Sequence, residues 1–596
     1  MEARRGLKLS IPPRRSEALD FCDGSAAAVR SWAEALPVSN PLKTARALHD
    51  ALDEANHCAL PIATRFGMLE VLRPYVRASC TAVTHRRRDT PVLVDPRARK
   101  EAALAQRVQY QLALGYKIVI VEGLRAKVPL APEARDARGT DPHRVLTSVH
   151  RALTELAQTL LRSLQFYTAP PKRLWEELHT LYSVAEARGV LEVEILDTEL
   201  TLRERCDISD VYERTILLAS AQPNTLRQSD LGTLFTALED WCRRVRVTKP
   251  SDAFDPVVVV DLDGGGPPVS AGRAPSGSAA LRVLDTRALT SAFETWLEPG
   301  ASSGSDLAML GPDTIDLVRH CMRAWGETSD RTHPRTPRSG DVDACAGLPH
   351  VHFHAGGARS LLQQMQSDRI EEEQDDTYVD PFAGASDSGG GARLDDDAPK
   401  RFISTSTQDT ADDHPLAQLS LADASPVGFG LRCEGAVPEG LQTGVLLGLR
   451  EPDDPDWRIT LVRWVANSTD RSRIGVETLA LRAMSGGARV VSSRGREVEF
   501  VRALLLPGSE ALEQPTRLLA APGSFAEGQK IAFTQHGHET KLLIEGRLPG
   551  ADSFDQFEVR ELASTISAQS DTGIEFEEIS EEEELAALEA FGLNRD

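Results

Sequence analysis

The sequence predicts a multidomain α and β protein: an N-terminal bundle of α-helical hairpins followed by a C-terminal antiparallel β-barrel. Two patterns predict this. From about residue 38 to 250 apolar residues recur every three or four positions, and from Pro415 to about Leu562 they alternate in short runs broken by turn residues. Length adds a third: 596 residues are too many for one core, so roughly three or four structural units are expected. With Lys+Arg 67 against Asp+Glu 89 the net charge is −22, which repels nucleic-acid backbones and anionic lipid alike. Any anionic ligand must find a local basic pocket. The eight cysteines form no Cys-x-x-Cys pair, excluding a zinc cage or disulfide framework and predicting reduced, mostly buried thiols.

Residues 1–37 are expected to be flexible. Their opening, "MEARRGLKLSIPPRRSEALD", has positive charge but no apolar stretch of secretory-signal length, which predicts a cytoplasmic location. The longest apolar runs, "YKIVIV" and "PVVVV", are strand-sized, far short of the ~20 residues that cross a bilayer. The helical bundle is placed at 38–250. In "SNPLKTARALHDALDEAN", Ser39 or Asn40 caps a helix, Pro41 lies in its first turn, and Leu42, Ala45, Leu48, Leu52 and Ala55 form a packing stripe. "RVLTSVHRALTELAQTLLRSL" and "LGTLFTALEDWCRRV" repeat the pattern. Trp175, Leu178 and Tyr182 fall at the spacing of the first helix of a tetratricopeptide repeat, which this stretch resembles, with His179 in place of the expected small residue. No regular 34-residue period surrounds it, so the expectation is a TPR-like hairpin bundle, a surface type that binds a protein partner.

An α/β connecting region is placed at 251–330: "DPVVVVDLDGGGPP" reads as a buried strand ended by turns, "LRVLDTRALTSAFETWL" as strand then helix, and "DTIDLVRHCMRAW" as a helix. Residues 367–412 are acidic, Gly/Ser-rich and poor in apolar anchors, the composition of a disordered insert. Short strands follow in "GVLLGLRE", "WRITLVRWVANS", "RIGVETLAL", "ARVVSS", "KIAFTQ", "KLLIEGRL" and "DQFEVREL", fitting a small barrel with additional strands over 486–565. The acidic tail, 566–596, holds a short helix with Ser580 as N-cap and Glu583 three residues on.

The stretch "LSLADASPVGFGL" (419–431) reads as strand, turn, strand, with Asp423, Ser425 and Gly428 in the turn. Asp/Asn-x-Ser-x-x-Gly at such a turn, preceded by Arg-x-x-x-Arg, resembles the PilZ domain, a bacterial module that binds cyclic di-GMP. "RTHPR" supplies Arg331 and Arg335, and "GFGLRCEG", "GVLLGL", "LVRWV" and "RIGVETL" follow in the family's strand order. The resemblance implies a PilZ-like barrel split into 331–366 and 413–485, with "DVDACAGLPHVHFHAGG" as its first strand, "ARSLLQQMQ" as a short helix and 367–412 looped out. Such an insert is tolerable because loop-closure cost grows only logarithmically with length. This sequence departs from the family in that Asp330 precedes Arg331 and the arginine motif lies far upstream of the Ser motif.

The implied ligand-binding set is Arg331, Arg335, Asp423, Ser425 and Gly428. Arginine grips phosphate bidentately and stacks on guanine, Asp423 and Ser425 present acceptors to guanine's edge, and Gly428 allows a positive φ and close backbone approach. The same residues also suit an ordinary tight turn and a solvated linker. Two functions follow: a cytoplasmic cyclic di-GMP effector relaying the messenger to a protein partner, or a degenerate PilZ-like adaptor, structural or chaperone-like, that no longer binds nucleotide. His350, His352 and His354 would share one face of a strand and could hold a metal, but no fourth ligand follows at a sensible spacing. Asp261 and Asp263 read as a turn cap, and "HRRRD" (85–89) as a solvated helix end. No catalytic triad, phosphate loop or dinucleotide fingerprint is present, so neither an enzyme nor a cofactor is expected.

Overall fold

The structure is a computed structural model. It describes residues 9–562 except 87–95, 136, 252–253, 276, 299–306, 308, 310, 312–313, 327–333, 367–408, 435–436, 453, 469–470, 492–498, 509–514 and 552. The chain divides into two compact units, 1–332 with 464–473, and 333–463 with 474–596.

Unit 1 begins with α1 (Ala26–Glu34), α2 (Pro41–His57), α3 (Ile62–His85), α4 (Pro96–Arg125) and α5 (Asp141–Gln165), followed by α6 (Leu174–Ala187), the two-stranded hairpin β1 (Ile195–Leu196) and β2 (Arg205–Cys206), α7 (Ile208–Ser220) and α8 (Gln228–Trp241). Asn40 is the cap of α2, its side chain accepting from the Lys43 N–H, and Ala45, Leu48, Leu52 and Ala55 are buried as the stripe predicts. Every residue of α5 from Val145 to Gln165 is buried, which makes it the centre of the bundle. A reciprocal cap starts α7: Asp207 Oδ1 accepts from Asp210 N at 2.7 Å and Asp210 Oδ2 from Asp207 N at 3.4 Å. Trp175, Leu178 and Tyr182 are core residues of α6. His179 is buried beside them because both ring nitrogens find partners, the Tyr212 hydroxyl at 2.8 Å and the Gly266 carbonyl at 2.9 Å.

The stretch after the bundle belongs to the same core. Strands β3 (Arg246–Thr248), β4 (Val258–Asp261), β5 (Val269–Ser270) and β6 (Leu281–Asp285) form an antiparallel sheet in the order β3-β6-β4-β5, followed by α9 (Arg287–Leu297) and α10 (Ile315–Gly326). Val258, Leu284, Phe293 and Trp325 pack into the cluster that holds the bundle together. Asp261 is a turn cap, accepting from Asp263 N at 3.2 Å and Ser278 Oγ at 2.8 Å. All eight cysteines are free thiols, and seven are buried.

Unit 2 opens with β7 (Thr336–Pro337), β8 (Asp341–Ala346), α11 (Leu348–Ala355) and α12 (Leu361–Met365). The expected strand over 341–357 therefore ends at Ala346: Gly347 adopts φ 94° and Pro349 lies in the first turn of the helix that follows. The three histidines are thus helical, not on one strand face. His350 Nδ1 meets His414 Nδ1 at 2.9 Å, His352 Nε2 meets the Gly486 carbonyl at 2.9 Å and His354 Nε2 meets the His414 carbonyl at 2.8 Å. Residues 409–412, expected inside the insert, are held by an Asp409–Arg502 ion pair at 2.6 Å and by a 3-10 turn at Ala411–Asp413.

Strands β9 (Ala417–Ser425), β10 (Gly428–Cys433), β11 (Leu446–Arg450), β12 (Arg458–Asn467) and β13 (Ser472–Ala480) join β7 and β8 in the order β10-β13-β12-β11-β8-β9-β7, and a further β10–β9 pairing closes the ring. The strands beyond do not extend this barrel. β14 (Met484–Val490), β15 (Val501–Leu506), β16 (Arg517–Ala520), β17 (Lys530–Gln535), β18 (His538–Ala551) and β19 (Phe554–Glu561) close into a second barrel, in the order β14-β15-β16-β19-β18-β17. One apolar cluster spans both, with Cys345, Leu348, Trp457 and Ile459 packed against Leu504, Leu519 and Phe554. The helix expected over 566–596 lies outside the described residues, as do 87–89 of the basic "HRRRD" stretch.

Candidate functional site at the β9–β10 turn

Strand β9 organises the site because it is paired along both edges. Its N-terminal half lies against β8, with Val342 opposite Leu419 and Ala344 opposite Ala417. Its C-terminal half turns into β10, with Gly428 opposite Ser425 and Gly430 opposite Asp423. On the edge that β8 leaves, β7 takes over, with Thr336 opposite Ala424 and Pro337 opposite Asp423. The arm that begins at Arg335 is thereby laid along the turn motif.

This register brings Arg335 and Asp423, 88 positions apart, into an ion pair: Arg335 Nη1 donates to Asp423 Oδ1 at 2.5 Å. Both side chains stay partly open to solvent, 30% and 19% exposed. Ser425 is buried, and its hydroxyl donates to the Gly428 carbonyl at 3.2 Å, fastening the turn. Arg331 lies outside the described residues.

Gly428 corrects the sequence reading. It does not adopt a positive φ. Glycine is needed because a Cβ at this position would lie 2.0 Å from the Val476 carbonyl oxygen, so the close backbone approach is to β13. Gly430 is a residue of this turn whose part the sequence reading missed. A Cβ there would lie 2.6 Å from Asp423 Oδ1, so its missing side chain leaves room for the carboxylate. The available signal was a glycine inside an apolar strand. Also missed was a charged cluster beside the arm: Arg338 Nη2 and Arg458 Nη1 reach Glu451 at 3.1 and 2.7 Å. The Arg458 guanidinium carbon lies 6.0 Å from the centre of the Phe429 ring.

Ligand-type side chains also converge in unit 1, where His150, Asp197 and Cys206 are all buried. Guanidinium groups already occupy their acceptors. Arg73 grips Asp197 with two bonds at 2.6 and 2.8 Å, and Arg151 Nη1 lies 3.2 Å from His150 Nδ1. Burial and Arg151 push His150 down to about 3, while burial and Asp197 push the Cys206 thiol up to about 12. Two cations and a protonated thiol make this a poor metal site.

Comparison with known families matches the chain in three consecutive segments. Residues 27–252 match the model described as "Cyclic-di-GMP receptor FimW, N-terminal domain", and 257–484 match "Cyclic-di-GMP receptor FimW, middle PilZ domain". The chain carries a PilZ domain. Residues 486–562 match the "FimW C-terminal beta-barrel domain", the segment that forms the second closed barrel beside the PilZ strands. Among curated proteins, the chain is 28% identical over 591 residues to the cyclic-di-GMP receptor FimW of Pseudomonas aeruginosa, an alignment covering 95% of each chain. No solved structure matched. The PilZ model begins at residue 257, well upstream of the arginine arm. The strands it takes in there, β4 to β6, pack in unit 1. No described helix is long and apolar enough to cross a membrane.

Proposed function

We propose that this protein is a cyclic di-GMP receptor that binds the dinucleotide at the β9–β10 turn and acts without catalysis, as a cytoplasmic effector relaying the messenger to a protein partner through its helical half. One observation carries the reading: Arg335 reaches across 88 positions to Asp423, which brings one arginine of the upstream motif onto the turn. The resemblance between the full chain and a relative named a cyclic-di-GMP receptor supports it.

The proposed ligand set is Arg331, Arg335, Asp423, Ser425 and Gly428, in a module of 331–366 and 409–485 with 367–408 as an insert. The arginine forks grip the phosphates and stack on guanine, and the Asp423 carboxylate accepts from the guanine edge. Ser425 and Gly428 hold the turn in register for them. In this scheme the Arg335–Asp423 pair is a resting latch. Ligand phosphate competes with Asp423 for the guanidinium.

Calorimetry of the purified chain with cyclic di-GMP tests the reading. Saturable binding is expected at micromolar ligand, weakened at least tenfold in an Arg331→Ala/Arg335→Ala variant that melts like the parent. No heat at tens of micromolar ligand from a folded chain would overturn the receptor reading and leave a structural adaptor.

A further inference from the structure

We propose that unit 1 carries a second ligand site, an arginine-lined cavity that takes a phosphate-bearing small molecule of nucleotide size. It is a cleft open to solvent, of about 940 Å³ between α3, α5, α7 and α8, in the range of about 300–1,000 Å³ typical of small-molecule pockets. It includes none of the PilZ motif residues.

Arg77, Arg162 and Arg214 line it. Arg214 is accounted for: its Nε donates to the Phe235 carbonyl at 2.9 Å and its Nη2 to Glu239 Oε1 at 3.2 Å. The other two are short of negative charge. Arg162 is 5% exposed, yet its bonds go to neutral groups, Gln165 Oε1 at 3.0 Å and Thr81 Oγ1 at 2.8 Å. Its Nε makes no hydrogen bond. Arg77 donates one N–H to the Glu199 carbonyl at 3.0 Å, while its Nε and Nη2 make none. Its paired acid, Glu155 at 3.8 Å, already accepts from Arg73 at 2.6 Å and from Gln109.

The lining carboxylates do not make up the deficit. Glu239 is spent on the backbone N–H groups of Thr201 and Leu202, at 2.8 Å each, and on Arg214, which leaves Glu199 at the half-buried edge. Burial holds both Arg77 and Arg162 below the ordinary arginine range. Arg77 and Arg162 share the Glu155 charge with Arg73; a guanidinium out of water and short of counter-charge is costly to bury, and a bound anion is the simplest compensation. Guanidinium forks match phosphate oxygens. The wall adds hydroxyls at Ser229, Thr233 and Thr236, and Gln228 Oε1 is a buried acceptor without a partner, groups suited to a sugar or a base edge.

Thermal melts of the full chain with inorganic pyrophosphate and with ADP test this, using sodium chloride of matched ionic strength as the baseline. A saturable rise in Tm is expected with both probes. Arg162→Gln should weaken the apparent affinity at least tenfold while leaving the ligand-free Tm equal or higher, since it removes a buried charge short of counter-charge. Gly232→Met fills the cavity with the arginines intact, because a Cβ there meets only Gln165 Nε2 at an ordinary 3.5 Å, and should give the same loss. Arg335→Ala should keep the response, which separates this site from the PilZ turn. No saturable rise above the salt baseline with either probe, or a rise that survives both cavity variants, would overturn the proposal.

Discussion

Replacing Gly428 by alanine isolates the backbone packing beneath the PilZ turn. The added Cβ would lie 2.0 Å from the Val476 carbonyl oxygen and 3.0 Å from Glu477 Cα. Carbon and carbonyl oxygen settle at about 3.3 Å even in close inter-strand contacts, so β13 must withdraw by roughly 1.3 Å. The obstacle is backbone, which has no rotamer to escape into. Overpacking of this kind costs about 1–3 kcal/mol. The Thr478 N–H bond to the Val427 carbonyl, at 2.9 Å, lies within the displaced stretch, and its loss adds about 1 kcal/mol. A total of roughly 2–4 kcal/mol lowers the melting temperature of a unit of this size by about 5–15 °C. Melts followed by intrinsic fluorescence, with amide exchange read over 474–480 to assign the transition to unit 2, measure it. The contrasting variant is Gly430→Ala. Its Cβ would meet a side-chain oxygen of Asp423 at 2.6 Å, and that carboxylate turns aside. Gly430→Ala should melt within about 3 °C of the parent while binding cyclic di-GMP at least tenfold more weakly, because the displaced Asp423 carboxylate no longer faces the guanine edge. A Gly428→Ala chain melting within 2 °C of the parent, or a Gly430→Ala chain with unchanged affinity, would refute the reasoning.

Three further outcomes are expected. Burial pushes His352 down to about 4, so the folded state holds fewer protons than the unfolded chain between about pH 4 and 6.5. Its stabilisation is complete above that window and falls as pH drops through it, by at most roughly 3 kcal/mol; acid-side melts of His352→Gln should be correspondingly flatter. Burial raises Glu213 to about 8, so stability falls as pH climbs from about 4.5 to 8. Its Oε1 accepts from the Val247 N–H at 2.9 Å, a bond glutamine retains, so Glu213→Gln should melt higher than the parent at pH 8.5 and match it at pH 5. Replacing 367–408 with a short Gly/Ser link should leave Tm within about 3 °C of the parent, because β8 and β9 keep their register and the segment's composition buries little; a chain that fails to fold would show the segment to be structural.

Local physics determined much of this protein. The 3.6-residue stripes of α2 and α5, the cap at Asn40, the strand-and-helix run from Val258 to Trp325 and most barrel strands were legible because period, caps and turns act over a few residues. β15 and β16 were not singled out. Their cores, Ala503–Leu506 and Arg517–Ala520, are buried without a break, so no alternation marks them. Nor did alternation say which strands pair: β13 ends at Ala480 and β14 starts at Met484 in similar composition, and only ring closure, with Gly487 opposite Thr534, separates a second barrel from the first. The histidines of α11 misled for a related reason, since an alternating polar pattern over five residues fits a strand until the Gly347 turn fixes a helix. At the β9–β10 turn the sequence named Arg335, Asp423, Ser425 and Gly428. Tertiary structure decided that Arg335 meets Asp423, that Gly428 is required by β13 and that Gly430 leaves space for the carboxylate. Each of those depends on register between segments distant along the chain, which residue identity alone does not set.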